Sequence, residues 1–325
     1  MNMVTQKKLL KTASYNVNGI LNPIKRSKIL GKMRKEGVEV ALLQETHLSQ
    51  KEHEKLKRNG FNQVFSSSYR TGHRRGVAII ISGKYMFEKL SETSDKQGRY
   101  ILIKGRLEGE LVTIFNVYAP PGSDWIFYRQ MFDLMTKEEE GILIWGGDLN
   151  LRLNPQLDCS ASGMQKSKIS KKFIGLMAEL GVIDVWRELN PTGKDYTYFS
   201  SPHKVYSRLD YFLMCYKDRY RVEKCEIGIR DLSDHSPVYM TLAMSRETKT
   251  TLWRLNVNML KGEMKEEYIK EIRMYVREND NGEVSPSVLW DACKAVIRGK
   301  LIAKSAYLKR KKKEKLKNKS RNQKD

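Results

Sequence analysis

Three features typical of secreted or membrane proteins are scarce or missing in this sequence of 325 residues. Its four cysteines, at positions 159, 215, 225 and 293, form no CxxC pair and no spacing typical of zinc sites, which predicts reduced, structural thiols in an intracellular protein. The first residues, MNMVTQKKLLK, lack the apolar core of a signal peptide, so we do not expect secretion. No apolar run approaches the roughly 18 residues of a membrane span, so we expect no membrane partner.

Positive charge, by contrast, is abundant. The chain has 60 Lys and Arg against 38 Asp and Glu, a formal net charge of +22. Half of this excess lies in residues 298–325, so the rest of the chain is basic in its own right. Such an excess predicts a polyanionic partner, and nucleic acid is the first candidate. We therefore expect the protein in the nucleus, with the cytoplasm as the alternative.

The order of apolar segments predicts a mixed α/β protein. Short apolar runs bounded by Gly, Pro and polar turns predict strands at 9–17, 38–44, 61–66, 76–81, 100–107, 111–118, from 141, at 195–200, 205–214, 221–229 and 237–243. Helical periodicity predicts helices at 23–36, at 124–137 with Ser123 as its cap, and at 170–180, with 182–186 as a short buried segment. Interleaved strands and helices in one compact chain favour two packed β-sheets flanked by helices, a four-layer α/β sandwich.

The composition changes after about residue 244. We predict one domain over residues 1–244, a linker at 245–252, and a helical, basic C-terminal connector that extends to residue 325, with helices within 261–276 and 287–308. Residues 309–319 are almost wholly basic. They are interpreted either as a segment that binds RNA or DNA or directs the chain to the nucleus, or as a connector helix separated from its partner.

Acids and amides follow the predicted strands at their ends. In the stretch ILIWGGDLN, residues 142–150, a buried strand leads through two glycines to Asp148 and Asn150, which lie on the same side if the chain stays extended. Glu45 similarly ends an almost wholly apolar strand. Each of these residues alone is better explained as a turn or a surface acid. Further polar residues occupy comparable positions: Asn16, Asp210, Asp234 and His235.

Together these residues predict a hydrolytic site that uses a hard divalent cation. A phosphodiester repels hydroxide, so its hydrolysis needs a cation, hydrogen-bond donors to the phosphate and a base for the water. Glu45 suits Mg²⁺, with Mn²⁺ as the alternative. The side chains of Asn16, Asn150 and Tyr118 donate to phosphate without adding charge.

His235 is a candidate donor to the phosphate, and a carboxylate would fix its tautomer. Asp234 is adjacent to it in sequence, so their side chains diverge on a strand. Asp210 is therefore the better candidate for holding His235.

Six strings of this chain, in this order, resemble the motifs of the endonuclease/exonuclease/phosphatase superfamily. They are YNVNG (15–19), LLQETHL (42–48), NVYAP (116–120), WGGDLN (145–150), SRLDYF (207–212) and LSDHSP (232–237). Each string is weak alone, but the ordered set is specific. Over residues 8 to about 244 the chain is most similar to the endonuclease domain that opens the second reading frame of LINE-type retrotransposons, a relative of exonuclease III, abasic-site endonucleases and DNase I. The resemblance implies a DNase I-like fold.

The resemblance also implies the roles of individual residues. Glu45 would bind Mg²⁺, with Asn16 and Asn18 beside it, and Asp234 would complete the acidic cluster. Asp148 would orient or deprotonate the attacking water.

On the phosphate side, the resemblance implies that Asn150 and Tyr118 hold the phosphate group. His235, held by Asp210, would stabilise the pentacovalent phosphorus. All motif positions carry a chemically competent residue, which argues against an inactive remnant.

DNA contacts are predicted in two places. The basic loop SSYRTGHRRG contributes Arg74 and Arg75. By resemblance, the tip of the hairpin within residues 195–214, near Ser200 to Tyr206, would sample the minor groove, where preference comes from groove width and flexibility. Without the resemblance, an ordinary edge of the sheet is an equally good interpretation of this hairpin. The predicted contacts there are Thr197, Ser201, His203, Lys204, Ser207 and Arg208.

The first hypothesis is a Mg²⁺-dependent endonuclease that nicks double-stranded DNA and leaves a 3′-hydroxyl, as in target-primed retrotransposition. The alternatives are an abasic-site endonuclease or exonuclease III-type repair enzyme, and a nucleic-acid-binding retrotransposon remnant without turnover. The hairpin and the trailing segments WRLNVNMLK and WDACKAVIRGKLIAKSAYLKRKKKEK resemble the retrotransposon branch. No reverse-transcriptase motif follows, so we interpret the chain as a fragment or a truncated copy. We expect a monomer.

Overall fold

The computed structural model describes residues 8–163, 165–244, 263–282 and 284–321, without the side chains of 263, 305, 306 and 308–321. The chain divides into two compact units at residue 248. The predicted linker at 245–252 and the segment WRLNVNMLK at 253–261 lie outside the described residues. The predicted domain boundary at residue 244 stays a prediction.

The first unit contains two mixed β-sheets of six strands each. In spatial order, the first sheet consists of β13 (Val222–Ile227), β14 (Val238–Ala243), β1 (Leu9–Asn16), β2 (Val40–Gln44), β4 (Val77–Ser82) and β3 (Phe61–Ser67). The second consists of β5 (Phe87–Ser94), β6 (Tyr100–Leu107), β7 (Glu110–Tyr118), β8 (Ile142–Asp148), β12 (Asp210–Cys215) and β9 (Val182–Asp184). A separate antiparallel hairpin is formed by β10 (Tyr198–Ser200) and β11 (Val205–Ser207).

Apolar side chains from both sheets form one core between them. Leu42 and Ile79 of the first sheet belong to the same buried cluster as Ile114, Ile144 and Phe212 of the second. Strands buried on both faces read as continuous apolar runs, as VAIIIS in β4 does. The sheets therefore pack face to face.

Helices cover the outer faces of both sheets. They are α1 (Pro23–Lys35), α2 (Trp125–Glu138) and α3 (Lys168–Leu180). The short α4 (Val185–Leu189) instead contributes Val185 and Trp186 to the core between the sheets. Ile29 and Met33 of α1 pack with Tyr15 of the first sheet. Phe132 of α2 and Phe173 of α3 pack with Trp145 of the second sheet. These layers form the predicted four-layer α/β sandwich.

Two parallel strand pairs determine where the site lies. β1 runs parallel to β2 with Asn16 opposite Gln44, and β7 runs parallel to β8 with Tyr118 opposite Asp148. The carboxyl ends of all four strands meet at the same rim of the sandwich. Polar residues that follow these strands in sequence are thereby brought together in space.

Several local predictions were wrong in detail. Strand β5 was missed, because its sequence FEKLSETS is largely exposed at the edge of the sheet and has no apolar run. Helix α2 is capped by Asp124, whose carboxylate accepts from Phe127 N, and not by Ser123. The predicted buried segment 182–186 divides into β9 and the start of α4, because Asp184 caps the helix.

The second unit contains helices α5 (Glu263–Asn279) and α6 (Pro286–Arg321). Tyr268 and Leu301 form a small buried contact between them. Lys300 Nζ pairs with Glu271 Oε1 at 2.9 Å. Within the described ranges, no helix has the length and apolar character needed to cross a membrane.

Candidate active site

Asn16 joins the two sheets at the rim. It ends β1, is fully buried, and donates from Nδ2 to Glu45 Oε1 at 2.9 Å and to Asp148 Oδ2 at 3.0 Å. Glu45 follows β2 of the first sheet, whereas Asp148 ends β8 of the second. The amide group of Asn16 therefore binds both predicted acids, one from each sheet.

Asp148, Asp210 and His235 form a buried cluster beside this amide. His235 Nδ1 lies 2.8 Å from Asp210 Oδ2, and His235 Nε2 lies 3.9 Å from Asp148 Oδ2. Asp210 opens β12 directly opposite Asp148, and an isolated bridge to Tyr198 fixes the backbone of His235. The second ring nitrogen of His235 consequently faces Asp148.

The electrostatics of this cluster raise the pKa values of both Asp148 and His235. Burial raises the pKa of Asp148, and the negative charge of Asp210 raises it further. Burial alone would lower the pKa of His235, but the charge and hydrogen bond of Asp210 outweigh it, so the pKa is raised. Asp148 is thus a stronger base than an ordinary carboxylate, and His235 favours the charged form.

Glu45 lies across Asn16 in a different environment. Its side chain is 22% exposed, and Oε2 lies 3.3 Å from His47 Nε2. Burial raises its pKa, but hydrogen bonds from His47, Asn16 and Tyr118 together lower it below the usual value. Burial and the charge of Glu45 raise the pKa of Tyr118, which keeps the phenol protonated as a donor. Glu45 therefore stays ionised and accessible.

Asn150 completes the surroundings of Asp148. Its backbone N donates to Asp148 Oδ1 at 2.9 Å, and its Nδ2 donates to Ala119 O at 2.8 Å and to Asp148 Oδ2 at 3.2 Å. Asp148 is thus held by hydrogen bonds on both carboxylate oxygens.

Asn18 and Asp234 lie together at the exposed rim of the site. Asn18 Nδ2 donates to Asp234 Oδ1 at 3.1 Å, and Asn18 N donates to Asn16 Oδ1 at 3.0 Å. The predicted metal-binding residues thus fall into two pairs, Glu45 with Asn16 and Asn18 with Asp234, linked through Asn16.

The donor set at the rim suits a divalent cation. Asp148 and Asp210 each offer a carboxylate oxygen, and these oxygens and a ring nitrogen of His235 lie within 4.8 Å of one another. The charged form of His235 has no free lone pair for a cation, so the ligands of this cluster are the carboxylate oxygens. Glu45 adds an ionised, partly exposed oxygen ligand beyond Asn16. Hard oxygen ligands of this kind match Mg²⁺ and Mn²⁺.

Three of the residues predicted to contact DNA are buried in the structure. Thr197 is fully buried, and its Oγ1 accepts from the backbone N of Leu209 and Asp210. Ser207 is 1% exposed, and its Oγ accepts from Arg152 Nε at 3.0 Å. Both residues support the strand that carries Asp210.

Arg208, the third of these residues, is 1% exposed and binds two acids inside the protein. Its Nε lies 2.9 Å from Asp158 Oδ1, and its Nη2 lies 2.6 Å from Asp184 Oδ2. Its guanidinium also packs over the rings of Trp186 and Tyr211. The arginine of the SRLDYF string is therefore structural.

The other predicted DNA contacts lie at the surface. Arg74, Ser201, His203 and Lys204 are exposed, the last three in the turn between β10 and β11. Arg75 is half-buried, and its guanidinium lies 5.4 Å from the centre of the Tyr69 ring.

Sequence reasoning missed a polar bridge beneath the site. Gln44 Nε2 donates to Asn116 Oδ1 at 2.8 Å, and Asn116 Nδ2 donates to the carbonyls of Leu43 and Ala78. Both residues are fully buried; Asn116 lies within β7, and Gln44 ends the otherwise apolar β2. A polar residue inside an apolar strand was the signal that would have identified them.

The paired glycines before Asp148 permit close packing. A Cβ at Gly147 would lie 1.9 Å from Val117 O on the neighbouring strand, and one at Gly146 would lie 2.9 Å from Leu42 Cδ2 of the opposite sheet. Neither position has room for a side chain, so β8 packs closely against β7 and against the opposite sheet where it reaches the rim.

The two packed sheets, with an Asp–His cluster at their shared rim, are those of the nuclease and hydrolase class of enzymes. The chain belongs to the Endonuclease/Exonuclease/phosphatase family, whose model matches residues 13–235. The predicted family is thereby confirmed.

Curated relatives include proteins of mobile elements and an exonuclease. The Xenopus laevis protein "Transposon TX1 uncharacterized 149 kDa protein" is 28% identical over 78% of this chain and 20% of its own length. The Drosophila melanogaster "RNA-directed DNA polymerase from mobile element jockey" is 23% identical over 83% of this chain and 28% of its own. The Bacillus subtilis exodeoxyribonuclease is 24% identical over 72% of this chain and 99% of its own. The chain thus spans 20% and 28% of the length of the two mobile-element proteins. The predicted likeness to this branch is confirmed.

Solved structures support the fold. An AP endonuclease from Archaeoglobus fulgidus has a TM-score of 0.60 at 20% identity and covers 72% of this chain and 99% of its own. The catalytic domain of Xenopus laevis APE2 has a TM-score of 0.62 at 18% identity and covers 73% and 94%, respectively. These neighbours confirm the predicted DNase I-like sandwich.

Proposed function

We propose that this protein is a Mg²⁺-dependent endonuclease that nicks double-stranded DNA and leaves a 3′-hydroxyl, as target-primed retrotransposition requires. The observation that carries the proposal is the arrangement of Asp148 and His235 Nε2, which face each other at 3.9 Å with Asp210 behind the histidine. Asp148 as the base and the charged His235 as the donor are the groups that the addition of water to a phosphodiester needs. Mn²⁺ is the alternative cation.

In this mechanism Asp148 takes a proton from the attacking water, because its raised pKa makes it a competent base near neutral pH. The water oxygen bonds to phosphorus, the bond from phosphorus to the 3′-oxygen breaks, and that oxygen takes up a proton. His235 donates to a phosphate oxygen as negative charge develops, and the amide of Asn150 does so by exchanging its 3.2 Å bond to Asp148 for one to the phosphate. When bound at Glu45, the cation supplies further neutralisation of that charge.

The relatives support this proposal. Two curated relatives belong to mobile elements, and the charge of +22 favours a polyanionic substrate. The second candidate is an abasic-site endonuclease or 3′ to 5′ exonuclease. It is favoured by the exodeoxyribonuclease, which aligns with this chain over 99% of its own length.

One assay separates these candidates. Supercoiled plasmid, an abasic oligonucleotide and a duplex with a recessed 3′ end are each incubated with the full chain in Mg²⁺ or in EDTA. Plasmid nicking that is lost in EDTA and in Asp148→Ala supports the endonuclease. Preferred cleavage of the abasic oligonucleotide or the recessed end supports the repair enzyme, and binding without cleavage of any substrate overturns both.

We propose further that the protein is a nuclear monomer. The basic residues of 298–325 are candidates for binding RNA as well as DNA, because phosphate contacts carry no sequence information. Gel filtration, localisation of a fluorescent fusion, and filter binding of RNA with and without residues 305–325 test these points.

A further inference from the structure

The loop that carries Glu45 has an unusual backbone. Glu45 has φ +50° and His47 has φ +55°, so two residues with side chains occupy the left-handed region on either side of Thr46. Such conformations are unfavourable for residues other than glycine and persist only where their surroundings fix them. The orientation of the Glu45 carboxylate therefore depends on what holds this loop.

Backbone hydrogen bonds hold the loop from two sides. Gly19 N donates to Glu45 O at 2.7 Å, and Ile20 N donates to Thr46 O at 3.0 Å. On the other side, Thr46 N donates to Gly76 O at 3.0 Å. Thr46 is thus the point at which the loop is fixed between two neighbouring segments.

The side chain of Thr46 is bound to a histidine that the proposed mechanism does not use. Thr46 Oγ1 lies 3.0 Å from His53 Nε2, and the two residues are 0% and 1% exposed. His53 Nδ1 lies 3.0 Å from Ser49 O, a carbonyl that only accepts, so Nδ1 carries the proton. Nε2 is then an acceptor, and the Thr46 hydroxyl donates to it.

The Thr46 hydroxyl is also confined from the opposite side. A Cβ at Gly76 would lie 2.4 Å from Thr46 Oγ1, so this position admits only a glycine while the hydroxyl stays in place. Burial keeps His53 neutral by lowering its pKa to about 4, which preserves Nε2 as an acceptor at neutral pH. The hydroxyl is therefore held in one direction.

We propose that His53, acting through Thr46, is a positioning residue that holds the Glu45 carboxylate in the orientation in which it binds a divalent cation. This inference rests on the proposed function for the role of Glu45. The competing interpretation is that His53 only anchors the 3₁₀ turn at Glu52–Leu56 to the sheet. That role would affect stability and leave cation binding unchanged.

The test uses the full chain and Mn²⁺ alone as the probe. Thr46→Val removes the hydroxyl and keeps the shape, Thr46→Ser restores a hydroxyl, and His53→Phe removes the acceptor. Thr12→Val is the matched control, because Thr12 is equally buried and its hydroxyl donates to Met240 O at 3.0 Å, four residues before Asn16 on β1. Mn²⁺ binding is followed by the electron paramagnetic resonance signal of the free ion, and stability by the thermal midpoint.

We expect Thr46→Val and His53→Phe each to weaken Mn²⁺ binding about tenfold, the scale seen when partners of metal ligands are removed. Their combination should add little, since both delete the same hydrogen bond. Thr46→Ser should recover most of the binding, and Thr12→Val should keep it while lowering the thermal midpoint. If either single variant fails to fold, the other still reports on the same bond.

Two results would overturn the inference. Wild-type Mn²⁺ affinity in a folded Thr46→Val or His53→Phe, even with a lowered midpoint, would assign His53 to anchoring alone and leave the proposed nuclease intact. A wild-type chain that neither binds Mn²⁺ nor nicks plasmid would overturn the proposed function as well.

Discussion

The ring of Tyr198 lies against the imidazole of His235, with ring centroids 4.8 Å apart and an interplanar angle of 42°. Their backbones also form an isolated β-bridge. Asp210 holds the same imidazole at Nδ1. His235 is therefore fixed by a hydrogen bond in one direction and by an aromatic ring in another.

We expect Tyr198→Ala to lower kcat for plasmid nicking about 10- to 100-fold, because small displacements of a positioned group have effects of that size. Tyr198→Phe keeps the ring and should retain most of the activity. Initial rates on supercoiled plasmid at saturating substrate measure both. An equal loss in the two variants would show that the hydroxyl, and not packing on His235, is what matters.

We expect Asp148→Asn to lower kcat about 10²- to 10⁴-fold, the usual contribution of a general base. An amide oxygen in the place of Oδ2 still accepts from the side chains of Asn16 and Asn150, whereas the bond from Asn150 N to Oδ1 is lost. We expect the fold to be retained. Nicking rates and circular dichroism check the two parts. Activity within about threefold of wild type would exclude Asp148 as the base.

Arg208→Met should destabilise the protein by about 3–5 kcal/mol, because it leaves Asp184 without its buried cation and Asp158 with Arg187 as its remaining partner. Urea unfolding measures this loss. Arg74→Ala is the matched comparison, since Arg74 is exposed. It should leave stability unchanged and reduce the slope of log K for DNA against log salt by about one. Unchanged stability of Arg208→Met, together with a smaller salt slope for that variant, would instead assign Arg208 to DNA binding.

Stability should fall between pH 6.5 and about 4 because of His53. Burial lowers its pKa from 6.5 to about 4, so in this window the unfolded chain binds a proton that the folded chain does not. This loss of stability is absent above pH 6.5 and reaches about 3 kcal/mol below pH 4. Urea unfolding across this range measures it, and His53→Phe should reduce the slope by the equivalent of one proton. An unchanged slope in that variant would mean that His53 is charged in the folded protein.

The turn of the β10–β11 hairpin should affect where DNA is cut more than how fast. Ser201, His203 and Lys204 are exposed there, and none of them belongs to the Asp–His cluster. Replacing residues 201–205 by a Gly-Ser turn should scatter the nicking positions and spare total nicking. Mapping of the nicked ends by primer extension checks this, and an unchanged cleavage pattern would count against a role for the turn.

The sequence predicted the sandwich because its buried strands are continuous apolar runs that end in polar residues. Asp148 illustrates the success: the apolar run, the two glycines and the acid already indicated a strand end at a rim. Strand β5 could not be found in this way, since an edge strand with one solvated face has no such run. Elements at the margin of a sheet carry little of the signal that identifies its centre.

Arg208 illustrates the opposite limit. A basic residue in a predicted hairpin next to a site for nucleic acid favours a phosphate contact, and the sequence alone gives no sign that Asp158 and Asp184 converge on it. Those acids lie 50 and 24 residues away and meet the guanidinium only in the folded chain. Long-range ion pairs are therefore where charge-based predictions fail.

Because the amide of Asn16 bridges the two sheets, the site can form only when both sheets are in place. The two acceptors of this amide belong to different sheets, so neither sheet alone contains both acids. A chain that is still being synthesised, or one whose sheets have separated, would carry every one of these side chains and yet assemble no site. Any cleaving activity would then appear only on completion of the sandwich, so immature copies of the protein would be inert.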